Sequence, residues 1–482
     1  MQELRYAVRT LLGRPLFSFV AVLTLTLGIG ANTAIFTLVY HALLRPLPYP
    51  AADRLVFIWN TYPGINLVQA SVSIPDYLDR RAQAPAIEDA ALFTMTSASL
   101  NDGGSPEQVR VLQVTPSFFT TLQREPMLGR GFTDDEAKPE ADTYAILTHQ
   151  LWTSHYGGDA AIVGRDIRLG GAAYRVVGVL PDDFELPAAD IALLTPFSFT
   201  PAQMSDAARG NEFSMMIARL RPGATVAQVD GQMQAISQHV MERLPARAGF
   251  MQASRFSGYA VPLRDQLVGD IRTPLLIMQA CVVFVLLIAC INVANLLLMR
   301  ATGRSREIAI RSTLGAGHWR IVRQMLAEGL VLASAGGAAG IVVGIAVVRV
   351  LVRFAIVPGG APGAPPPAMN LVVMAFAFAL AIVTGVVFGG VPALAVARGN
   401  AAAFLKDDSG RGTASRRVGT LRAALVIGEV AAALTLLVGA GLLIKSFARL
   451  EQVNPGFNPD NVLTAQMSLP LTRYPDPAAG KK

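Results

Sequence analysis

Few side chains in the 482-residue sequence stand at spacings that suit bond-making chemistry. His149 and His155 lie six residues apart, which matches no usual zinc-ligand spacing. Asp134-Asp135-Glu136 is an acidic cluster of the kind that forms solvated turns. There is no Gly-x-Ser-x-Gly elbow, and the long soluble stretch holds no cysteine to act as a nucleophile. Cys281 and Cys290 share one apolar run, about 13 Å apart along a helix and out of reach of a mutual disulfide. A phosphate-cradling loop needs a second glycine directly before its Lys-Ser/Thr pair. The nearest candidate, Gly439–Ser446, has Ile444 at that place and lies inside another apolar run. These residues define no catalytic group, no metal site and no nucleotide loop.

Binding chemistry is a different matter. Between two long apolar runs lie Arg300, Arg304, Arg306, Arg311, Arg320 and Arg323, against the single acid Glu307. Lys and Arg near span ends resist translocation, so this loop belongs on the cytoplasmic side. Its pattern is that of a helix–turn–helix. Ile308, Ile310 and Leu314 supply apolar contact, Gly315 and Gly317 break the first helix, and Trp319, Ile321 and Val322 restart a second. Two readings stand side by side: a docking element under the membrane, or a solvated basic loop that only sets topology.

The elements that must carry this loop are membrane spans. Of the residues, 52% are apolar and 16% charged. Three segments, 1–15, 300–323 and 398–422, carry +2, +5 and +4, more than the whole chain's net +7. The rest is net acidic, so the basicity is topological and fits anionic lipid, not nucleic acid. Residues 1–15 hold Leu4, Val8, Leu11 and Leu12 at helical spacing among Arg5, Arg9 and Arg14, as an interfacial helix would. About five spans follow: 16–40, 274–299, 325–357, 369–397 and 422–446. Asn32, Asn292 and Asn295 are read as interhelical hydrogen-bond partners, and Glu429 as a lone acid near an inner interface. Gly336, Gly340 and Gly344 form a repeated small-x-x-x-small seam, with Gly385 and Gly389 as a second one. Residues 300–324 form the inner loop and 398–421 an inner linker.

Residues 41–272 read as a mixed α+β extracytoplasmic domain. It opens on the stiff turn Arg45–Pro50. Asp166–Leu169, Gly170-Gly171 and Tyr174–Val179 form a hairpin, because two glycines supply the positive φ its turn needs. Tyr144–Leu147 and Phe213–Leu220 read as strands, Gln150–Tyr156 as a short helix. Thr225–Leu244 reads as a helix with Val226, Val229, Met233, Ile236 and Val240 on one face. After the last span, residues 454–462 repeat weakly the pattern of Pro46–Val56. An odd number of spans with an outer tail, 448–482, leads to the expectation that the chain stops inside a second outer domain.

On these residues the chain resembles the MacB/FtsX-type permeases of ABC transporters, specifically the duplicated orphan-permease branch. The resemblance lies in REIAIRSTLGAGHWRIVRQMLAE of the inner loop, LRYAVRTLLGRPLFS and LGIGANTAIF at the start, and VTPSFFTTLQREPMLGRGFTDDE and GRDIRLGGAAYRVVGVLPDDF in the outer domain. It implies a helical membrane domain with a MacB-like periplasmic core, in the bacterial inner membrane with the N-terminus inside. It also implies a separate cytoplasmic ATPase that brings the ATP, no cofactor on this chain, and mechanotransmission to the outer domain for export or extraction. The partners it implies are that ATPase, the bilayer, and a second copy or a second repeat. Carried onto this sequence, Arg304, Arg306, Glu307 and Arg311 would be polar docking contacts, with Leu314, Gly315, Trp319 and Ile321 beside them. The alternative is a membrane scaffold whose outer domain binds and controls a partner protein.

Overall fold

In the computed structural model the described residues are 9, 11–102, 106–139, 143–184, 190–303, 318–353, 369–397, 413–452 and 462. Contacts divide the chain into a sheet unit, Pro46–Gly269, and a helical unit built from Met1–Arg45 and Asp270–Val462.

The sheet unit is one mixed sheet. Its strands are β1 (Leu55–Tyr62), β2 (Leu67–Ala70), β3 (Ile87–Leu100), β4 (Glu107–Val114), β5 (Leu128–Gly129), β6 (Tyr144–Leu147), β7 (Asp166–Leu169), β8 (Ala172–Val179), β9 (Ile191–Pro196), β10 (Met215–Leu220) and β11 (Ser257–Pro262). The order is β11-β1-β10-β3-β4-β9-β6-β8-β5, with β2 beside β1 and β7 bridging β3 and β8. The β4–β9 and β6–β8 pairs are parallel and the rest antiparallel. Both faces of the central strands are covered. Along β1, Val56 and Ile58 face one core with Tyr77, Met233 and Val240. Leu55, Phe57 and Trp59 face another with Phe93, Phe118 and Phe119. This alternation is the period of two of a strand buried on both sides.

Local chemistry sets the ends of these elements. The Thr225 hydroxyl accepts from Gln228 N–H, and Gln228 accepts back from Thr225 N–H, so a capping box starts the helix Val226–Arg243. Gly170 and Gly171 join β7 to β8 with φ of 60° and 88°. Arg219 is fully buried and donates to the carbonyls of Thr121 (2.7 Å) and Pro50 (2.9 Å). It thereby ties the proline-rich entry turn to β10.

The helical unit holds Pro15–Val39, extended by a π-turn over Tyr40–Leu44, and the helices Leu263–Gly303, His318–Arg353, Leu371–Ala397 and Thr413–Glu451. Four are long and apolar enough to cross a membrane: Pro15–Leu44, Ile271–Met299, Val322–Leu351 and Arg422–Arg449. Each of the five expected spans falls on one of these helices. The fourth, 369–397, is the 27-residue helix Leu371–Ala397, apolar over Leu371–Val387 among the described residues. Part of the expected inner linker is corrected, since the last helix starts at Thr413. The apolar run downstream carries the helix back through 413–421 in spite of the weak helix formers Thr413, Ser415, Gly419 and Thr420, because propagation from a formed helix is far easier than starting one.

Candidate functional site

The basic loop is the candidate binding site, and the structure describes what flanks it. The second helix ends at Gly303 and the third starts at His318. Arg304, Arg306, Glu307, Arg311, Leu314 and Gly315 lie outside the described residues. Trp319 and Ile321 fall in the first turn of the third helix, and their side chains lie outside the description.

The third helix is gripped on two sides by backbone contact. A Cβ at Gly336 would lie 2.7 Å from Leu25 Cβ, one at Gly340 3.1 Å from Gly30 N, and one at Gly344 3.2 Å from Gly30 O. These glycines therefore let the third and first helices touch main chain to main chain. Against the fourth helix, a Cβ at Gly385 would meet Ala333 Cβ at 3.0 Å, and one at Gly389 would meet Leu326 Cα at 3.2 Å. Gly329 answers from the third helix, where a Cβ would lie 2.9 Å from the Gly385 carbonyl. Sequence reasoning missed Gly28, Gly30, Gly329 and Gly337 as packing residues, because single or paired glycines do not advertise a seam as a four-residue repeat does.

Asn32 is fully buried in the first helix. Its amide donates to the carbonyls of Gly28 (2.9 Å) and Val282 (2.7 Å), and its oxygen accepts from Gln279 Nε2 (3.2 Å). It thus bonds the first helix to the second. Asn295 is half-buried, with its side-chain oxygen unbonded among the described residues. Asn292 is exposed on the second helix. Spacing identifies an amide within a span but not the face it occupies. Glu328 was missed altogether. It is buried in the third helix and accepts from Gln324 at 3.5 Å, whereas Glu429 is half-buried in the last helix.

The sheet unit holds polar groups in structural bonds. Asp135 pairs with Lys138 and Glu136 with Arg130, each at 2.6 Å, and the Arg130 hydrogen bond keeps the Glu136 carboxyl below its usual range. His155 contacts the Asp102 carbonyl and His149 packs on Trp152. Arg209 is 5% exposed and reaches Asp76 (2.5 Å), Asp79 (2.6 Å) and Asp206 (2.6 Å). Next to it the Glu212 carboxylate accepts from Tyr62 O–H and from Asn60 Nδ2.

Comparison with known proteins follows the same division. Residues 18–236 match the model of the MacB-like periplasmic core domain, and residues 280–401 match the FtsX-like permease C-terminal domain. The macrolide export ATP-binding/permease protein MacB of Nitrosomonas europaea is 30% identical over 274 residues, covering 56% of this chain and 38% of that protein. The pyoverdine export ATP-binding/permease protein PvdT of Pseudomonas syringae pv. syringae is 25% identical over 288 residues, covering 58% of this chain and 40% of that protein. The chain thus spans about 40% of the length of these relatives, and neither matched model is a nucleotide-binding domain. A solved periplasmic region of MacB from Actinobacillus actinomycetemcomitans aligns with 46% of this chain and 93% of that chain, at 12% identity and a TM-score of 0.34. On its two matched domains, joined in one multi-pass membrane chain, the protein belongs to the MacB/FtsX-type family of ABC permeases.

Proposed function

We propose that the chain is the permease subunit of an ABC-type transporter and couples a separate cytoplasmic ATPase to conformational change in an extracytoplasmic sheet domain. The observation that carries this reading is the grip on the third helix. The helix that leaves the basic loop packs by backbone contact on both the first and the fourth helices. A push at residues 304–323 is then shared by three helices as one body, because close-packed interfaces pass displacement on instead of absorbing it. The first of those helices runs into the Pro46–Pro50 turn, which Arg219 ties to β10. In this reading Arg304, Arg306 and Arg311 present charge to the ATPase, and ATP is bound and hydrolysed by that partner alone. The loop and the N-terminus face the cytoplasm, and the work serves export or extraction. Coupling of this kind requires two states of the outer domain that the ATPase biases differently.

The test is a cross-linked pull-down of the tagged chain from native membranes. An Arg304→Glu/Arg306→Glu/Arg311→Glu variant serves as the control. Recovery of an ATPase subunit with the parent and its loss with the variant is the expected result. An eluate without ATPase from either chain overturns the coupling reading. An outer-domain partner in that eluate would favour a scaffold instead.

A further inference from the structure

The end of the long strand β3 opens onto a cavity that the coupling reading leaves unused. Its volume is about 400 Å3, and it is lined by Asp102, His155, Tyr156, Asp159, Ile162 and Arg165. Three pieces of chain bring these residues together. Asp102 follows β3, which pairs there with β7 at Leu100 and Leu169. His155 and Tyr156 end the helix His149–Tyr156, which closes on Gly157 at a φ of 64°. Asp159 caps the short turn Ala160–Ile162, and Arg165 directly precedes β7. Bonds through the main chain fix this frame. Trp152 Nε1 donates to the Asp159 carbonyl at 2.8 Å and His155 Nε2 to the Asp102 carbonyl at 3.1 Å, while Ile162 is buried in the core beneath.

The frame does not use up the polar ends. Asp102 Oδ2 and Tyr156 Oη are buried with no hydrogen bond among the described residues. Burial, and after it the charge of Asp102, raises the Tyr156 phenol well above its ordinary range, so it keeps its proton. Asp159 spends only Oδ1, on Ala161 N–H. The Arg165 guanidinium has no hydrogen bond or ion pair among the described residues. No three acid or imidazole groups among those residues converge as metal ligands. The cavity therefore offers two carboxylates, a phenol and a guanidinium.

We propose that this cavity binds a free basic amino acid of the lysine type. Such a ligand answers the charges one for one: two ammonium groups for Asp102 and Asp159, and one carboxylate for Arg165. An ammonium carries three donors, so a single one reaches Asp102 Oδ2 and Tyr156 Oη together. A guanidinium takes a carboxylate through two parallel N–H bonds. A plain anion is repelled by the two acids and a plain cation by Arg165, which favours a ligand that carries both signs. The site lies wholly in the sheet unit, and the inference is independent of any ATPase.

The test is equilibrium dialysis of the purified full-length chain in detergent against radiolabelled L-lysine. Saturable binding is expected. Nα-acetyl-lysine, lysinamide and norleucine each lack one of the three charges. As competitors each should be weaker than lysine by about ten-fold or more, the loss that goes with one charge-assisted hydrogen bond. Asp102→Asn and Arg165→Gln should weaken lysine by a similar factor, and Tyr156→Phe by several-fold. Asp135→Asn, which changes an exposed acid outside the cavity, should leave binding as it was. Absence of saturable lysine binding up to about 10 mM overturns the proposal. So does equal competition by lysine and the three trimmed ligands, or lysine binding untouched by both Asp102→Asn and Arg165→Gln. If Asp102→Asn misfolds, the exposed Arg165→Gln and the ligand series on the parent chain decide.

Discussion

Arg209 and Glu212 show how differently two neighbouring charges act. Arg209 faces three carboxylates while nearly excluded from water, and Asp76 beside it is 3% exposed. Removing one member of a buried pair strands the other, at a cost of about 3–5 kcal/mol. Arg209→Met should therefore lower the urea midpoint of the sheet unit, read by the fluorescence of buried Trp59. Glu212 runs the other way. Burial lifts its carboxyl above the ordinary 4.5, against the hydrogen bonds from Tyr62 and Asn60. Asp76 pushes the same way, and Arg80 opposes. The folded chain holds that proton to higher pH than the unfolded chain does. Its contribution is full below 4.5 and is lost as pH rises through the lifted value. Glu212→Gln should raise the melting temperature at pH 7–8 and give no gain near pH 4. A gain that does not depend on pH would contradict this. Neither residue was legible in the sequence, because Asp76, Arg209 and Glu212 converge through long-range folding. Asn32 was legible, since an amide within an apolar run has few places to bond.

At the scale of elements, the glycine seams give the sharpest contrast. Gly336→Leu puts a branched side chain where a Cβ alone would lie 2.7 Å from Leu25. Overpacking of this sort costs about 1–3 kcal/mol. The expected result is an earlier thermal transition in detergent, while Gly439→Leu, whose Cβ would meet nothing within 4 Å among the described residues, leaves it unmoved. The outer edge of the sheet gives a second prediction. On β11, Ala260 N–H is capped by Asp230 Oδ1 at 2.8 Å, and Pro262 has no N–H to offer. An edge blunted in this way resists pairing with other chains. Asp230→Ala should raise self-association of the full chain, seen as a larger species by light scattering. The hairpin at Gly170-Gly171 and the capped helix Val226–Arg243 were readable beforehand, because turn and cap chemistry is local. The extent of the last helix was not, since a run of Arg, Ser and Gly does not show that an apolar stretch downstream will keep it helical.

For the whole molecule, the sequence showed two kinds of material, an apolar helical part and a soluble mixed part, because composition differs sharply between them. It could not show the strand order, in which β11 joins β1 and β9 sits between β4 and β6. Those neighbours are chosen by core shape, not by adjacent residues. The basic loop was found by charge alone, and reversal of its arginines is the prediction that belongs to this scale: loss of ATPase recovery with the sheet unit still folded. The grip on the third helix has a consequence for recombination. Helices that meet through glycine fit only the partner whose surface was shaped with them, so the first, third and fourth helices form one block of inheritance. A chimera that takes the third helix from a relative should fail unless the other two come with it. The last helix, where a Cβ at Gly439 or Gly441 would meet nothing within 4 Å among the described residues, should exchange freely.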